Sequence, residues 1–219
     1  MAAISLLARP EEKPAVSSIK ITATAKDDLI AWKPDRKLTW DDYRGEPDPA
    51  ANAAASTTTL LTVSYQFGRS AFKFTISSGF DPSRSWGIHR TAYILSHEQG
   101  HFDIAEVYAR KLYHKLSEYR YDPKSYRKDL KKIYEEVIKE KEEMQNKYDE
   151  ETRNSILKVR QAEWLKKISG MLEETKEYAD YQKSPYNSAS TLRIISPKSS
   201  SLSANLFLST SITSSLPSL

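Results

Sequence analysis

The sequence has no cysteine and only four histidines in 219 residues. Without cysteine the chain can form neither disulfide bonds nor thiolate metal sites, and the redox compartment cannot be read from it. Any metal site must therefore combine histidine nitrogens with one another or with oxygen ligands. The four histidines are His89, His97, His101 and His114.

Long apolar runs are also missing from the sequence. No stretch reaches the roughly 18 apolar residues that indicate a membrane-spanning helix. The apolar run at residues 4–8 has no basic residue before it and is too short for the apolar core of a secretory signal. We therefore predict no transmembrane segment and no signal peptide here, which leaves a cytoplasmic location or a signal outside this sequence.

The charge distribution gives no sign of a nucleic-acid partner. The net charge is +4, and residues 181–219 contribute +3 of it through Lys183, Arg193 and Lys198, with no acidic residue. Subtracting these three from the 33 basic residues leaves 30 beside 29 acidic ones, with the signs interspersed. A nucleic-acid-binding domain should instead carry a clustered basic face.

Hydrophobic periodicity predicts an α+β fold, with an N-terminal antiparallel β-sheet followed by long α-helices. Alternating residues predict strands at 19–25, 57–67 and 72–76, the last two joined by a hairpin loop at 68–70. Helical spacing predicts one helix over 86–119, a long amphipathic helix from 124 with an interruption near 148–155, and a last helix ending near 179. We divide the chain into a linker at 1–16, a domain at 17–183 and a Ser-rich disordered tail at 184–219.

The most informative stretch is His97-Glu98-Gln99-Gly100-His101, which reads H-E-x-x-H. On a helix, residues four apart lie on one face, so His97 and His101 can direct two ring nitrogens at one zinc ion. Glu98 lies beside this pair, where its carboxylate can act as general base toward a metal-bound water. The competing interpretation is a solvated helix face with two incidental histidines, but the apolar residues on both sides favour a buried motif.

Six blocks of sequence occur together, in this order, in one known family. They are Leu38-Thr39-Trp40-Asp41-Asp42-Tyr43-Arg44-Gly45, Ser85-Trp86, residues 97–106, residues 109–112, Tyr148-Asp149-Glu150-Glu151-Thr152 and Gln161-Ala162-Glu163-Trp164. The chain thereby resembles DUF922, a bacterial family of predicted secreted zinc-dependent proteases. The resemblance implies a zincin-like metallopeptidase architecture, a zinc cofactor, a peptide or protein substrate and a periplasmic or secreted location.

The third metal ligand has several candidates in the sequence. Catalytic zinc sites use three protein ligands and leave one position for water. The family pattern runs Tyr-Asp-x-x-Thr-x-His, and Asn154 stands at its last position here. Asp149, Glu150 and Glu151 are the nearby alternatives, and we predict Glu151 as the third ligand, reached across a pair of packed helices.

Three other candidates are disfavoured by helix geometry. At about 100° per residue, Glu106 lies about 180° from His97 and so on the far face of the helix, where a structural ion pair is expected. His114 lies too far along the helix to reach the same ion, and His89, eight residues before His97, reaches it only if the helix begins later.

These observations predict hydrolysis of a peptide bond by zinc-activated water, with Glu98 as the base. The segment at 71–77 is expected to bind an extended substrate by edge pairing, as in many zincins. Two alternatives stay open: a degenerate zincin that has lost turnover, and a non-enzymatic helical interaction protein. The sequence leaves the substrate, the oligomeric state and the choice of zinc over copper, nickel or iron open.

Overall fold

The structure is a computed structural model that describes residues 29–50, 53–67, 72–182, 186–187 and 202–215. The linker at 1–16, the strand expected at 19–25 and the hairpin loop at 68–70 lie outside the described residues. Of the segments at 186–187 and 202–215, only the backbone is described.

An antiparallel sheet is built around one long strand. β1 (Ala53–Phe67) pairs with β2 (Phe72–Phe80) along one edge, in a register that places Val63 opposite Ile76. This confirms the strand pair expected from the alternating residues. The remaining strands are β3 (Trp86–Gly87) and β5 (Leu202–Ser215), which both pair with β1, and β4 (Tyr186–Asn187), which pairs with β2.

Three helices follow β3 in the chain, which confirms an antiparallel sheet followed by long helices. They are α1 (Ala92–Glu118), α2 (Tyr126–Thr152) and α3 (Lys158–Glu174), followed by a 3₁₀ helix at Lys176–Gln182. The helix-facing residues of β1 and β2 pack on α1 and α2 in one apolar core. Among the described residues, no helix is long and apolar enough to cross a membrane.

The first helix begins later than the sequence predicted. Residues 86–87 form β3, and the side chain of Thr91 accepts a hydrogen bond from the Ile94 amide at 3.1 Å. A threonine in this position satisfies one of the amides that the first helical turn leaves free. The expected start at residue 86 was wrong because the periodicity of Trp86 and its neighbours also suits a short strand.

At residues 202–215 the structure differs from the disordered tail predicted for 184–219. Residues 202–215 form β5, which is antiparallel to β1 and places Leu202 opposite Phe67 and Ser215 opposite Ala53. The even-numbered residues from 202 to 212 are Leu, Ala, Leu, Leu, Thr and Ile, which is a period of two typical of a strand. The high serine content of the segment obscured this alternation.

The block at 38–45 packs on the helix that carries the H-E-x-x-H motif. Trp40–Asp42 is a single 3₁₀ turn, and Trp40 and Tyr43 lie with ring centroids 4.9 Å apart. The Leu38 amide donates to Gln99 Oε1 at 2.8 Å, while Leu38 and Tyr43 form a small core with Phe80 and Phe102. This block therefore covers the flank of α1 that faces away from α2.

Candidate metal centre

The two motif histidines lie side by side on α1, completely buried. His97 and His101 are each 0% exposed, and their ring centroids are 4.9 Å apart. Helical spacing alone brings the rings together, as the sequence predicted. Burial removes both rings from water, so their nitrogens need partners within the protein or a bound ion.

Asp149 completes the cluster from α2. Its Oδ1 lies 2.9 Å from His97 Nε2 and 3.1 Å from His101 Nε2. Within the described part of the chain, these three residues form a group whose ligand atoms all lie within 4.8 Å of one another. Ligands about 2.0–2.1 Å from a tetrahedral zinc ion lie about 3.3 Å apart. The separations from Asp149 are therefore close to those of one face of a zinc site.

Gln145 determines which nitrogen of His101 faces the cluster. Its side-chain nitrogen donates to the His101 carbonyl at 2.9 Å, and its Oε1 lies 2.6 Å from His101 Nδ1. Because an amide oxygen only accepts, Nδ1 carries the proton in this pair and Nε2 of the neutral ring holds a lone pair. That Nε2 lies 3.1 Å from Asp149 Oδ1. It faces an anionic carboxylate and therefore needs a proton or a metal ion between them.

Tyr148 holds the ring of His97 from the other side. The two rings stack with centroids 4.4 Å apart, and Tyr148 Oη donates to the His97 carbonyl at 3.3 Å. Gly100 makes this approach possible, since a Cβ atom there would lie 2.6 Å from Tyr148 Oη. The glycine of the motif is thus a steric requirement of the α1–α2 contact.

Glu98 is held by a hydrogen bond from the sheet. Thr57 Oγ1 on β1 donates to Glu98 Oε2 at 2.6 Å, and the Tyr43 hydroxyl lies 2.9 Å from the same Thr57 oxygen. Since Thr57 gives its proton to Glu98, the Tyr43 hydroxyl donates to Thr57. Glu98 is 0% exposed. Two consecutive hydrogen bonds orient its carboxylate, one from Tyr43 in the block at 38–45 to Thr57 and one from Thr57 to Glu98.

The charges of the cluster oppose one another across a short distance. Burial lowers the pKa of His101, but the Asp149 carboxylate outweighs burial and raises that pKa to about 9. Burial raises the pKa of Asp149, but His101 and His97 outweigh it and lower the pKa to about 2. At neutral pH, a metal ion entering this site must displace a proton from His101.

Glu151, the third ligand predicted from sequence, is not part of the cluster. Its Oε2 accepts hydrogen bonds from Trp164 Nε1 at 2.9 Å and from Arg160 at 3.0 Å. Asp149 lies two residues earlier on α2, about 200° away around the helix, so the two carboxylates cannot share a target. The structure therefore brings Asp149, and not Glu151, to the two histidines.

Asn154 lies in the left-handed turn that follows the end of α2 at Thr152. Arg153, Asn154 and Ser155 all have positive φ values of 48°, 48° and 71°, and the Asn154 amide donates to the Asp149 carbonyl at 2.8 Å. Asparagine tolerates the left-handed conformation better than most residues. Its position thus has a structural explanation that is independent of metal binding.

Glu106 and His114 lie where helix geometry predicted, whereas His89 lies before the helix, which begins at Ala92. Glu106 forms a buried ion pair with Arg110 at 2.8 Å and accepts a hydrogen bond from Tyr181. His89 is exposed, and His114 is 40% exposed beside Glu118. None of the three belongs to the cluster.

Sequence reasoning missed the residues that orient the motif. Thr57, Gln145 and Tyr148 come from other elements, and only the packing of those elements brings them to α1. A partial signal existed for Tyr148, which, like Tyr43, stands in a sequence block shared with the family. Thr57 and Gln145 carried no signal in a single sequence.

The fold and the site define a mixed α/β protein with a buried His-His-Asp cluster able to hold a metal ion. Residues 20–155 match the family model described as a bacterial protein of unknown function, DUF922. The chain belongs to this family. No curated protein and no solved structure matches it.

Proposed function

We propose that this protein is a zinc-dependent metallopeptidase of zincin-like architecture, in which His97, His101 and Asp149 hold the metal. The observation that carries the proposal is the convergence of two buried imidazoles and a carboxylate. With Gln145 fixing the His101 tautomer, these atoms present lone pairs and negative charge to one point. A divalent cation satisfies all three, and two nitrogens with one oxygen form a donor set that zinc accepts.

Each protein group has a defined task in this reaction. When bound by these three ligands, zinc would polarise a water molecule and lower its pKa toward about 7. Glu98 accepts the proton of the attacking water and returns it to the leaving amine. Thr57 fixes the plane of the Glu98 carboxylate through Oε2, and Gln145 and Tyr148 keep the two imidazole rings in place.

The test of this function combines metal content with hydrolysis. The parent, purified without chelator, is expected to contain about one zinc per chain, and Glu98→Gln is expected to keep it. Hydrolysis of a peptide library should fall by about 10²–10⁴-fold in Glu98→Gln, the usual contribution of a general base. The matched control is Glu150→Gln, which changes an exposed carboxylate on α2 and should leave hydrolysis unchanged.

The two alternatives predict different results in the same experiment. A protein that binds zinc stoichiometrically but hydrolyses no member of the library, with parent and Glu98→Gln alike, is the degenerate zincin. A protein with no zinc and no turnover is the helical interaction protein. Equal hydrolysis by the parent and Glu98→Gln would show that Glu98 is not the base.

We also propose that the protein acts outside the bacterial cytoplasm, on the strength of the family resemblance alone. Fractionation of cells that carry the natural gene tests this, with recovery in the periplasm or medium expected. Recovery with cytoplasmic markers would contradict it.

A further inference from the structure

One edge of β1 is occupied by a strand from far along the chain. β2 and β3 pair with β1 on one side, and β5 pairs with it on the other from Ala53 to Phe67, with a register shift between Ala53 and Ala55. The partner of Thr57 in this register is Ile212. β5 is thus opposite the residue that holds Glu98.

The stretch of β1 that β5 covers includes Thr57, whose hydroxyl donates to Glu98 in the motif on α1. α2, which carries Asp149, lies under this side of the sheet: Tyr134 Oη on α2 donates to the Leu61 carbonyl of β1 at 2.8 Å, and α2 also contacts β5. The segment at 71–77, which we expected to pair with substrate, belongs to β2 on the far side of β1 and is itself paired with β4 at Lys73 and Phe74. A peptide lying next to the cluster would pair with β1.

The strand that forms this edge, β1, is uncharged along its whole length. Its first seven residues, 53–59, are all Ala, Ser or Thr and all buried. β5 likewise contains no charged residue. Backbone groups of such an edge can bind any extended segment, whereas a charged segment would lose hydration against uncharged neighbours.

We propose that the edge of β1 at residues 53–61 is a binding site for an extended, uncharged peptide strand, and that β5 occupies it within the same chain. Bound peptide would run antiparallel to β1 and bring its backbone past Thr57 and Glu98. The binding site stands on the strand pairing alone. That the bound peptide is also the substrate rests on the function proposed above.

The absence of cysteine from the chain allows a direct test in the full-length protein. Leu60 and Ser209 are opposite each other in the register, and Leu60 lies on the other face of β1 from the core residues Leu61 and Val63. Opposed Cα atoms in an antiparallel pair lie about 4.5–5.5 Å apart, within the range of a disulfide. The variant Leu60→Cys/Ser209→Cys should therefore form an intramolecular disulfide that locks β5 on β1.

The probe is a labelled synthetic peptide with the sequence of residues 202–215, followed by fluorescence anisotropy. The reduced double variant should bind it by exchange with β5, and oxidation should weaken binding at least tenfold, reversibly. The single variants Leu60→Cys and Ser209→Cys, treated in the same way, should show no change. Equal binding by the oxidised and reduced double variants would overturn the proposal, as would a disulfide that forms only between two chains.

A second variant opens the edge instead of locking it. Successive residues of a strand direct their N–H groups to opposite sides, so either Thr210 or Ser211 donates a backbone hydrogen bond to β1. Because proline has no N–H, Thr210→Pro/Ser211→Pro removes that hydrogen bond in either case. This variant should bind the peptide at least tenfold more tightly than the parent, while Thr210→Ala/Ser211→Ala should match the parent. Binding no tighter than that of the alanine variant would count against β5 as the occupant.

The same samples separate this inference from the proposed function. If peptide binding follows the state of β5 but no variant hydrolyses peptides or contains zinc, the edge site stands and the metallopeptidase proposal fails. If the double variant contains zinc and hydrolyses peptides equally well in its oxidised and reduced forms, the metallopeptidase proposal stands and the edge site fails.

Discussion

Replacing Gly100 with alanine tests the contact that joins the two helices at the candidate metal centre. An alanine Cβ would lie 2.6 Å from Tyr148 Oη and 2.9 Å from Cε1 and Cζ of the same ring. Atoms cannot remain this close, so the Tyr148 ring, which stacks on His97, must move. Overpacking of this kind costs about 1–3 kcal/mol.

A matched control exists on the third helix. Gly170 is also inside a helix, but a Cβ atom there would meet nothing within 4 Å. Replacing glycine with alanine in a helix interior stabilises by about 1 kcal/mol when nothing else changes. Gly170→Ala should therefore gain about 1 kcal/mol, and Gly100→Ala should fall about 1–3 kcal/mol below it in free energy of unfolding.

Urea denaturation followed by circular dichroism measures both variants. A zinc titration of Gly100→Ala should also show weaker binding than the parent, because the displaced Tyr148 no longer holds His97. If Gly100→Ala is stabilised as much as Gly170→Ala and binds zinc like the parent, the close approach of Tyr148 to α1 is wrong.

Three further changes give independent tests. Thr57→Val removes the donor to Glu98 and should lower kcat by about tenfold or more with zinc content unchanged, while Thr57→Ser should keep most of the activity; equal kcat values for both would dismiss Thr57 as a positioning residue. Burial lowers the pKa of Lys141 from 10.5 to about 8. Between pH 8 and pH 10.5 the unfolded chain therefore binds more protons at this lysine than the folded protein does, so the free energy of unfolding should rise with pH across that range. Lys141→Met should abolish this rise and stabilise the protein at pH 7 by up to about 3 kcal/mol, as unfolding curves at several pH values would reveal; an unchanged slope would contradict it. Asn154→His should leave zinc affinity within about threefold, because in the proposed site Asp149 supplies the third ligand; a tenfold gain in a zinc titration would show that residue 154 can act as a ligand.

The parts of the fold that sequence predicted correctly are those with strong local periodicity. Alternating apolar residues predicted β1, through Leu61, Val63 and Tyr65, and β2, through Phe72 and Phe74. The i, i+4 spacing predicted which face of α1 carries the histidines. Both patterns depend on the spacing of residues within one element, and such local spacing can be read from a single sequence.

The parts that sequence did not predict depend on how elements meet. Asp149 rather than Glu151 faces α1 because the rotation of α2 is determined by Tyr148 packing over Gly100, a contact between residues 48 apart. β5 was missed because its apolar alternation is diluted by serine, and its pairing spans about 150 residues of sequence. Such long-range pairing is set by the whole sheet, not by the segment itself.

The central claim is that Asp149, together with His97 and His101, holds a zinc ion. A competitive zinc titration against a chromophoric chelator, applied to the parent, Asp149→Ala and Glu151→Ala, tests it most directly. We expect stoichiometric binding by the parent, a loss of about tenfold or more in Asp149→Ala and no more than about a threefold change in Glu151→Ala, whose carboxylate contacts Trp164 and Arg160. Unchanged affinity in Asp149→Ala, or a loss confined to Glu151→Ala, would contradict the account.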